Sequence, residues 1–187
     1  MVKLTRIYTG GGDSGETHLG DMSRTRKTDP RVVAYGEVDE ANSAIGLARA
    51  GGVSPAVDGW LARVQNDLFD VGADLSVPGT GGDRLRLRAD QATRLEGWID
   101  QVNEGLPDLT SFVLPAGSQA AAALHLARSV TRRAERAVVA LADAEEVNDA
   151  VIVYLNRLSD LLFVLARQAN QGAGGDVLWE PGADPSG

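Results

Sequence analysis

The sequence predicts an all-α fold, a five-helix up-and-down bundle, and three observations support this. Five segments repeat apolar residues at alternating steps of three and four, which is the spacing of one face of a helix. Strand patterns do not alternate with helix patterns, and the connections between the segments are short. The 187 residues, 43% hydrophobic and 24% charged, suffice for one domain with a filled core.

The first two helices have clear start and stop signals. Helix 1 is predicted over about residues 31–50, because Asp29-Pro30 is typical of an N-cap followed by a first helical residue, and Gly51-Gly52 ends it. Helix 2 begins at Ser54-Pro55 and ends before Pro78-Gly79. Its apolar positions form the clearest core stripe of the chain: Val57, Leu61, Val64, Leu68, Val71 and Leu75.

Three more helices follow a polar, glycine-rich connection at residues 78–88. Asp90 is the predicted N-cap of a shorter third helix that ends before Gly105. Ser118 caps a fourth helix, and the fifth is predicted over about residues 146–171 with a leucine-rich stripe. Small residues in the fourth helix indicate close approach of a neighbouring helix. They are Ala123, Ala127, Ala134 and Ala137.

Two segments without a helical pattern flank the bundle of residues 31–171. Residues 1–30 contain a short extended stretch, Leu4 to Tyr8, and a glycine-rich loop, and they belong to the same domain as the bundle. Residues 172–187 are rich in Gly, Pro and Asp with one isolated Trp179, a composition that cannot build a core alone. A flexible C-terminal tail is therefore predicted, which only contact with another part of the protein would order.

Composition excludes several classes of function. The net charge of -8 argues against binding to a nucleic-acid backbone, and no apolar run approaches the roughly 20 residues that a bilayer requires. The chain has no cysteine, which excludes disulfides and thiolate chemistry and favours a cytoplasmic location. Neither histidine belongs to a recognisable metal-ligand motif. The Glu-x-x-His motif of di-iron bundles and the G-x-S-x-G motif of serine hydrolases are both missing. His125, set among alanines and leucines, is interpreted as a packed or surface helix residue.

A glycine-rich loop runs from Gly10 to Thr17 and formally matches both the dinucleotide fingerprint and the Walker A frame. Both matches are weak, because no helical pattern follows at once and Glu16 stands where Walker A needs lysine. The loop can still bind an anion in the way that both motifs do, because its glycines allow consecutive backbone N–H groups to face one anion. A mobile surface loop is the alternative interpretation.

Three helices carry a polar stripe, here called a seam, beside the apolar one. Arg132-Arg133-x-x-Arg136 gives a positive patch in an acidic protein, and guanidinium groups suit phosphate oxygens. Solvated faces with ion pairs are the alternative, but Gly46 costs about 1 kcal/mol in a helix and so favours close packing or ligand approach. The seams are Tyr35, Asp39, Asn42 and Gly46; Arg128, Arg132, Glu135 and Arg136; and Asn156, Asp160, Phe163 and Arg167.

Several motifs together resemble the PduO-type cobalamin adenosyltransferases. In the first half of the chain they are Thr5-Arg6-Ile7-Tyr8-Thr9, Gly12-Asp13-x-Gly15-x-Thr17, Lys27-Thr28-Asp29 and Ala34-Tyr35-Gly36-x-Val38-Asp39-Glu40-x-Asn42. In the second half they are Arg132-Arg133-Ala134-Glu135-Arg136 and Tyr154-Leu155-Asn156-Arg157-Leu158-Ser159-Asp160. The resemblance spans nearly the whole chain and is weakest from Val53 to Leu109.

The resemblance implies a homotrimer that transfers the 5'-deoxyadenosyl group of ATP to the cobalt of cob(I)alamin, releasing triphosphate and forming adenosylcobalamin. Asp39 and Arg128 are then expected to form an intersubunit ion pair beside the corrin, and Phe112 to displace the lower ligand of the corrinoid. A further set of residues is expected to hold ATP and its magnesium-bound triphosphate. It comprises Tyr8, Thr9, Gly10, Gly12, Asp13, Gly15, Thr17, Lys27, Arg132, Arg133, Glu135, Arg136 and Asn156.

One departure from the family pattern concerns the loop, where Gly10 replaces a usual Lys or Arg. A missing phosphate contact predicts weaker ATP binding, since hydrogen bonds to charged groups contribute roughly 1.5–3 kcal/mol. Two other functions stay open at this point: a trimer that binds ATP and corrinoid for delivery or sensing with little turnover, and a structural bundle whose seams fix the oligomer register. A reductase and an adenosylcobalamin-dependent mutase are the protein partners that the resemblance suggests.

Overall fold

The computed structural model describes residues 7–8 and 10–182, and most of them are helical. The predicted five-helix fold is confirmed. The helices, numbered in chain order, are α1 Pro30–Ala50, α2 Pro55–Leu75, α3 Ala89–Asn103, α4 Gln119–Ala142 and α5 Asp149–Gln171. Within the described residues no helix is both long and apolar enough to cross a membrane.

Side-chain caps begin the helices where the sequence predicted them in three cases. The Asp29 carboxylate accepts a hydrogen bond from the Arg31 N–H at 2.9 Å at the start of α1. Ser54 and Ser118 act in the same way on α2 and α4, their Oγ atoms lying 3.4 and 3.2 Å from the N–H groups they cap. These caps satisfy backbone donors that a helix leaves open at its first turn.

The predicted starts of α3 and α5 are wrong by a few residues. The N-cap of α3 is Arg88, whose N–H donates to Gln91 Oε1 at 3.0 Å, while Asp90 lies inside the helix and pairs with the Arg88 guanidinium. The N-cap of α5 is Asn148, so the helix begins at Asp149, three residues after the predicted start at Glu146, and the residues before the cap are irregular. Arginine rarely caps a helix, so sequence signals favoured the aspartate.

The helices pack as a closed ring around one apolar core. α1 lies between α2 and α4, and α5 lies between α4 and α3. Trp60 of α2 stacks on Trp98 of α3, with ring centroids 5.2 Å apart and planes 7° from parallel, which completes the ring. All six predicted stripe residues of α2 are buried in this core.

Buried polar contacts fix how the helices meet. Asp67 of α2 is 2% exposed and accepts hydrogen bonds from Tyr154 Oη at 3.0 Å and Gln91 Nε2 at 2.9 Å. It also forms an ion pair with Arg94 of α3. Burial and the nearby Asp67 carboxylate raise the pKa of Tyr154 well above its usual value, so this phenol remains a hydrogen-bond donor. One carboxylate thus joins α2, α3 and α5.

A small antiparallel hairpin precedes the bundle, which the sequence reading did not predict. Its strands are β1 Glu16–His18 and β2 Arg24–Arg26, with Thr17 opposite Thr25. The Gly20 N–H donates to the Ser76 carbonyl at 2.8 Å and ties the hairpin to the end of α2. Strands of three residues are too short to give a recognisable alternation of polar and apolar residues.

Part of the predicted flexible tail is paired with another segment. The Leu114 N–H donates to the Val177 carbonyl, and the Trp179 N–H donates to the Phe112 carbonyl, both at 2.8 Å. Asp176 also forms a buried ion pair with Arg167 of α5 at 2.8 Å. Residues 176–179 are therefore held against residues 112–114 and α5 by these contacts.

Candidate functional site

The first candidate site is a cavity of about 370 Å³ beside α4 and α5, which we call the α4–α5 cavity. It brings together four residues that the sequence placed in the phosphate site. Its lining comprises Arg132, Glu135, Arg136, Val139, Ala140, Asp143 and Asn156. The two guanidinium groups stand one helical turn apart on α4, because residues i and i+4 share a helix face.

Hydrogen bonds orient the polar groups of this cavity. Asn156 Nδ2 donates to Glu135 Oε1 at 2.9 Å, and Asn156 Oδ1 accepts from Arg157 Nη1 at 2.7 Å. Arg157 Nε in turn donates to Glu96 Oε1 of α3 at 2.7 Å. The Asn156 amide is therefore fixed by a charged group on each side, which directs its orientation.

The two arginines of the cavity are free to bind an anion. Among the described residues, neither Arg132 nor Arg136 forms an ion pair with a carboxylate. Arg136 Nη1 donates only to the Arg132 carbonyl, at 3.1 Å. Two guanidinium groups without carboxylate partners offer several donors in planar forks, a geometry that matches phosphate oxygens.

Arg133 does not join this cavity, although the sequence placed it in the same positive patch. Its side chain projects from another face of α4 and forms ion pairs with Glu37 and Glu40 of α1. These two carboxylates hold the pKa of Arg133 above its ordinary value. A separation of one residue rotates a side chain by about 100° around a helix, so Arg132 and Arg133 cannot share a face.

The glycine-rich loop forms consecutive turns before β1. The Asp13 N–H donates to the Gly10 carbonyl at 3.3 Å, and the Gly15 N–H donates to the Gly12 carbonyl at 3.2 Å. Gly10 and Gly15 have φ values of +71° and +81°, which L side chains adopt only at a cost. The glycines are therefore required by the backbone shape of this loop.

Lys27 lies against the loop. Its N–H donates to the Gly15 carbonyl at 2.9 Å, and its Nζ would stand 3.1 Å from a Cβ built on Gly12. Thr17 sits in β1, and Tyr8 is 86% exposed, while Thr9 lies outside the described residues. No hydrogen bond or ion pair between described residues links this loop to the α4–α5 cavity. One ammonium group and a set of turn amides thus form a separate cationic element.

The second candidate site is a larger cavity of about 640 Å³, which we call the aromatic cavity. Phe112 stands at its wall with 78% of its surface exposed and packs at a tilt against Trp179, the ring centroids 5.9 Å apart. Its lining is completed by Leu109, Thr110, Ser111, Val113, Arg128 and Phe163. Three aromatic rings and one cation suit a large, flat, mostly apolar ligand with acidic or amide edges.

Arg128 contributes the cation of the aromatic cavity. Its guanidinium lies over the Phe163 ring, 5.9 Å from the centroid, and its Nε atom is buried without a partner among the described residues. Burial, and then the charge of nearby Arg132, lower the pKa of Arg128. A buried Nε–H without a hydrogen-bond partner is costly, so a group from outside the described chain that accepts from this guanidinium would stabilise it.

Asp39 lies in a different region of the surface, between α1 and α2. It is exposed and lines a cavity of about 360 Å³ with Asn42, Gln65 and Phe69 among its neighbours. A Cβ built on Gly46 of this seam would lie 3.4 Å from Gln65 Nε2, which is close to an ordinary van der Waals contact, so packing within the described chain leaves room for a methyl group there. Asp39 and Arg128 form no ion pair with each other within the described chain.

His125 proves to be a core residue, 1% exposed, next to the aromatic cavity. Its ring meets the Phe163 ring edge-on at 6.2 Å, and neither ring nitrogen has a hydrogen-bond partner among the described residues. Burial and Arg128 lower its pKa, while Asp176 partly opposes this. The imidazole therefore stays neutral where an isolated histidine would begin to protonate.

We expect His125 to make the protein less stable as the pH falls below about 6.5, the usual histidine pKa. In this window the unfolded chain binds a proton that the folded chain, with its lowered pKa, does not accept, so the free energy of unfolding falls. His125→Leu removes this dependence, whereas His18→Gln, at the other and exposed histidine, keeps it. Urea unfolding between about pH 7.5 and 5.5 measures the slope, and equal slopes for the unaltered chain and His125→Leu would contradict the expectation.

The sequence reading missed two contributors to these sites. Trp179 was noted only as an isolated aromatic residue in a polar segment, and Asp176 was not singled out. A large aromatic residue in a segment that has no core of its own was the available signal, because it needs a surface to cover. Arg167, assigned to a polar seam, is instead 4% exposed and paired with Asp176.

Comparison with known sequences gives one consistent result. The family model described as cobalamin adenosyltransferase matches residues 7–169. A corrinoid adenosyltransferase of Mycobacterium tuberculosis is 54% identical over 98% of this chain and 97% of its own length. The corrinoid adenosyltransferase of Bacillus subtilis is 44% identical over 95% of this chain and 94% of its own. The match therefore extends over both candidate cavities.

Solved structures agree with the sequence matches. A variant PduO-type ATP:corrinoid adenosyltransferase from Lactobacillus reuteri, complexed with cobalamin and ATP, superposes with a TM-score of 0.87. It is 39% identical, and the match covers 94% of this chain and 99% of that one. A second variant from the same organism, complexed with ATP, has a TM-score of 0.86 and 38% identity.

Proposed function

Because the chain belongs to the cobalamin adenosyltransferase family, it catalyses ATP-dependent adenosylation of cobalamin, and we propose that its two cavities each receive one substrate. The α4–α5 cavity would take the triphosphate of ATP, and the aromatic cavity would take the corrin. The observation that carries this assignment is the contrast in lining. One cavity has two arginines without a carboxylate partner among the described residues, and the other has three aromatic rings with one arginine.

The reaction needs alignment more than it needs a catalytic base. The cobalt(I) of the reduced corrinoid is itself a strong nucleophile, and its electron pair attacks C5' of ATP. The cobalt–carbon bond forms as the bond between C5' and oxygen breaks, and triphosphate leaves with that bonding pair. The protein therefore has to hold C5' in line with cobalt and to stabilise the charge of the leaving triphosphate.

Arg132 and Arg136 are placed to stabilise that leaving charge, with Lys27 and the loop amides as additional donors. Their positive charge acts most strongly where the phosphate develops negative charge in the transition state. Asp39 and Arg128 would position the corrin, and Phe112 would remove its lower axial ligand.

The residues of the α4–α5 cavity also fit a magnesium ion bound to the triphosphate. Mg²⁺ prefers oxygen ligands and is commonly bound by one or two carboxylates plus substrate phosphates and water. Glu135 offers one such carboxylate, and its Oε1 is already oriented by Asn156. No group of three potential metal-ligating side chains occurs within the described residues. Most of the ligands would therefore come from ATP, and the ion would neutralise part of the triphosphate charge.

We propose that the protein is a homotrimer whose neighbouring subunits complete each site. Two features of the described chain support this: the glycine-rich loop makes no polar contact with the α4–α5 cavity, and the buried Arg128 Nε has no partner. Contacts across a subunit boundary would bring a neighbour's loop to the cavity and give Arg128 Nε a partner. A cytoplasmic location, a reductase and a mutase partner stay predictions from the sequence.

Charge reversal tests the intersubunit pair. Asp39→Arg and Arg128→Asp should each weaken the trimer and slow adenosylation, because each places like charges opposite one another at the subunit boundary, which costs several kcal/mol. The double variant should recover most of the loss, since it restores opposite charges at the same place. Sedimentation velocity and the rate of adenosylcobalamin formation measure the two effects. A double variant as impaired as either single variant would contradict the pairing.

The activity itself is tested by incubating the purified protein with ATP, Mg²⁺ and chemically reduced cobalamin, without oxygen and light. We expect the adenosylcobalamin spectrum to appear together with triphosphate in equal amount. Binding of both substrates without turnover would favour a delivery or sensor role. Failure of ATP to raise the melting temperature would favour a purely structural bundle, because a ligand that binds only the folded state must stabilise it.

Gly10 determines how strongly the loop contributes to ATP binding. Its φ of +71° places it in the left-handed region, where a side chain costs roughly 1–2 kcal/mol. A basic residue at this position would thus strain the present loop. We propose that this chain binds phosphate in the loop through backbone amides and Lys27, and that its ATP affinity is lower than that of family members whose loop shape accepts a basic residue at this position.

A further inference from the structure

Two short segments form the wall of the aromatic cavity that carries Phe112. Residues 109–114 and 177–179 run side by side, joined by the hydrogen bonds between Leu114 and Val177 and between Trp179 and Phe112. Ser111 Oγ adds a third bond to the Trp179 carbonyl at 2.7 Å. Among the described residues, the backbone of 109–114 forms no hydrogen bond to any helix. The position of Phe112 therefore depends on residues 177–179.

Arg167 of α5 connects this wall to the bundle. Its Nε donates to Asp176 Oδ2 at 2.8 Å, immediately before the 177–179 segment. Its Nη2 donates to the Pro107 carbonyl at 2.6 Å, shortly before the 109–114 segment. One guanidinium thus holds the approach to both segments, and its planar fork fixes their relative position.

Asn170, one turn further along α5, anchors the other end of the connection. Its Nδ2 donates to the Ala116 carbonyl at 3.1 Å, and its Oδ1 accepts from the Ser118 N–H at 2.9 Å. Gly117 lies between these contacts with φ +107°, and a side chain there would overlap with the Asn170 amide. Phe112 therefore lies between two anchored points of the chain. The Arg167 contacts before it include Asp176 of the C-terminal segment, whereas the Asn170 contacts after it do not involve that segment.

The burial of the Arg167–Asp176 ion pair indicates that this pair fixes a geometry rather than adding stability. The side chains of Arg167 and Asp176 are only 5% and 7% exposed. Removing two charges from water offsets most of their attraction, so such a pair adds little net stability, and its best-attested use is to fix one arrangement. This arrangement is the one that places Phe112 against Trp179.

We propose that Arg167 and Asp176 are positioning residues that hold Phe112 over the aromatic cavity. The proposal rests on the proposed role of Phe112 in removing the lower axial ligand of cobalt. It predicts that the pair matters when the reaction starts from cob(II)alamin, whose reduction requires loss of that ligand. The pair should matter little when cob(I)alamin is supplied directly, since this species needs no further reduction.

Asp176→Ala tests the proposal. We expect it to slow adenosylcobalamin formation from cob(II)alamin and a reductant by about 10- to 100-fold, the scale of loss from a misplaced group. The dissociation constant for ATP and the rate with preformed cob(I)alamin should stay unchanged. Asp176→Asn should recover part of the rate, because its amide oxygen can still accept a hydrogen bond from Arg167. Equal slowing of both reactions would overturn the positioning role.

Coupling to Phe112 separates positioning from general structural damage. If Asp176 acts through Phe112, the variant with both Asp176→Ala and Phe112→Ala should be no slower than Phe112→Ala alone. Losses that multiply would overturn the proposal. Hydrogen exchange supplies a second readout: the amides of Leu114 and Trp179 should lose protection while those of α4 and α5 keep theirs. Unchanged protection of these two amides would likewise overturn it.

Asp58→Ala is the matched control. It breaks the Arg49–Asp58 ion pair, which at 2.7 Å is similar in length to the Arg167–Asp176 pair but is more exposed and joins α1 and α2 away from both cavities, and all rates should be unchanged. The role of Phe112 and its positioning by the ion pair can be refuted separately. No split between the cob(I) and cob(II) reactions in Phe112→Ala would refute the role of Phe112, whereas a split there with none in Asp176→Ala would refute only the positioning by the ion pair.

Discussion

Replacing Arg132 by alanine is expected to raise the dissociation constant for ATP by about 100-fold or more, which corresponds to roughly 2.8 kcal/mol. The side chain lines the α4–α5 cavity and has no carboxylate partner among the described residues, so its donors are available to the triphosphate. Loss of two charge-assisted hydrogen bonds, each contributing roughly 1.5–3 kcal/mol, accounts for an effect of this size. Isothermal titration with ATP and Mg²⁺ measures it.

Two neighbouring variants make this prediction specific. Arg132→Lys keeps the charge but loses the planar fork, so its affinity should fall between those of the unaltered chain and the alanine variant. Arg133→Ala removes the next arginine, which pairs with Glu37 and Glu40, and should leave the affinity for ATP unchanged. If Arg133→Ala weakened ATP binding as strongly as Arg132→Ala, the assignment of Arg132 to the phosphate would be wrong.

The contrast between these two arginines also indicates what sequence reasoning can reach. Helical spacing was enough to predict the five helices, and it placed Arg132, Glu135 and Arg136 on neighbouring positions of α4. Spacing also sets Arg133 about 100° away from Arg132 around α4, but it could not show which groups hold the Arg133 side chain, because these partners lie on α1, far away in the sequence. Long-range ion pairs leave no periodic signal in one sequence.

The parts that were missed depend on long-range contacts in the same way. The β1–β2 hairpin is too short for a periodic pattern and is tied to the end of α2 by the Gly20 N–H. The segment from Asp176 to Trp179 lies in a stretch rich in Gly, Pro and Asp, and its pairing with residues 112–114 and with Arg167 gives it a defined place. Composition describes whether a segment can form its own core, but it does not describe whether another segment provides a surface.

The aromatic cavity could be predicted only in part for the same reason. Phe112 and Arg128 came from the resemblance, and Phe163 came from the seam of α5. The fold brings these three together and adds Trp179 as the ring that packs on Phe112. A cavity assembled from a loop, two helices and a C-terminal segment has no signature in any single stretch of sequence.

Replacing Phe112 by alanine is expected to slow adenosylcobalamin formation from cob(II)alamin by about 10- to 100-fold, equivalent to roughly 1.4–2.8 kcal/mol of barrier. The ring is 78% exposed at the aromatic cavity, so its removal leaves the core intact and should change stability by only about 0.5 kcal/mol. ATP affinity should be unaffected, because Phe112 and Arg132 line different cavities. Leu126→Ala, at an exposed position of α4, is the control without effect.

The decisive comparison is between the two oxidation states of cobalt. A ring that displaces the lower axial ligand makes cobalt easier to reduce, so its loss should act before cob(I)alamin is formed and not on the transfer of the adenosyl group. Preformed cob(I)alamin should therefore react at nearly the unaltered rate in Phe112→Ala. If both reactions slowed equally while ATP affinity stayed constant, Phe112 would instead position the corrin for attack on C5', and its effect would belong to alignment rather than to reduction.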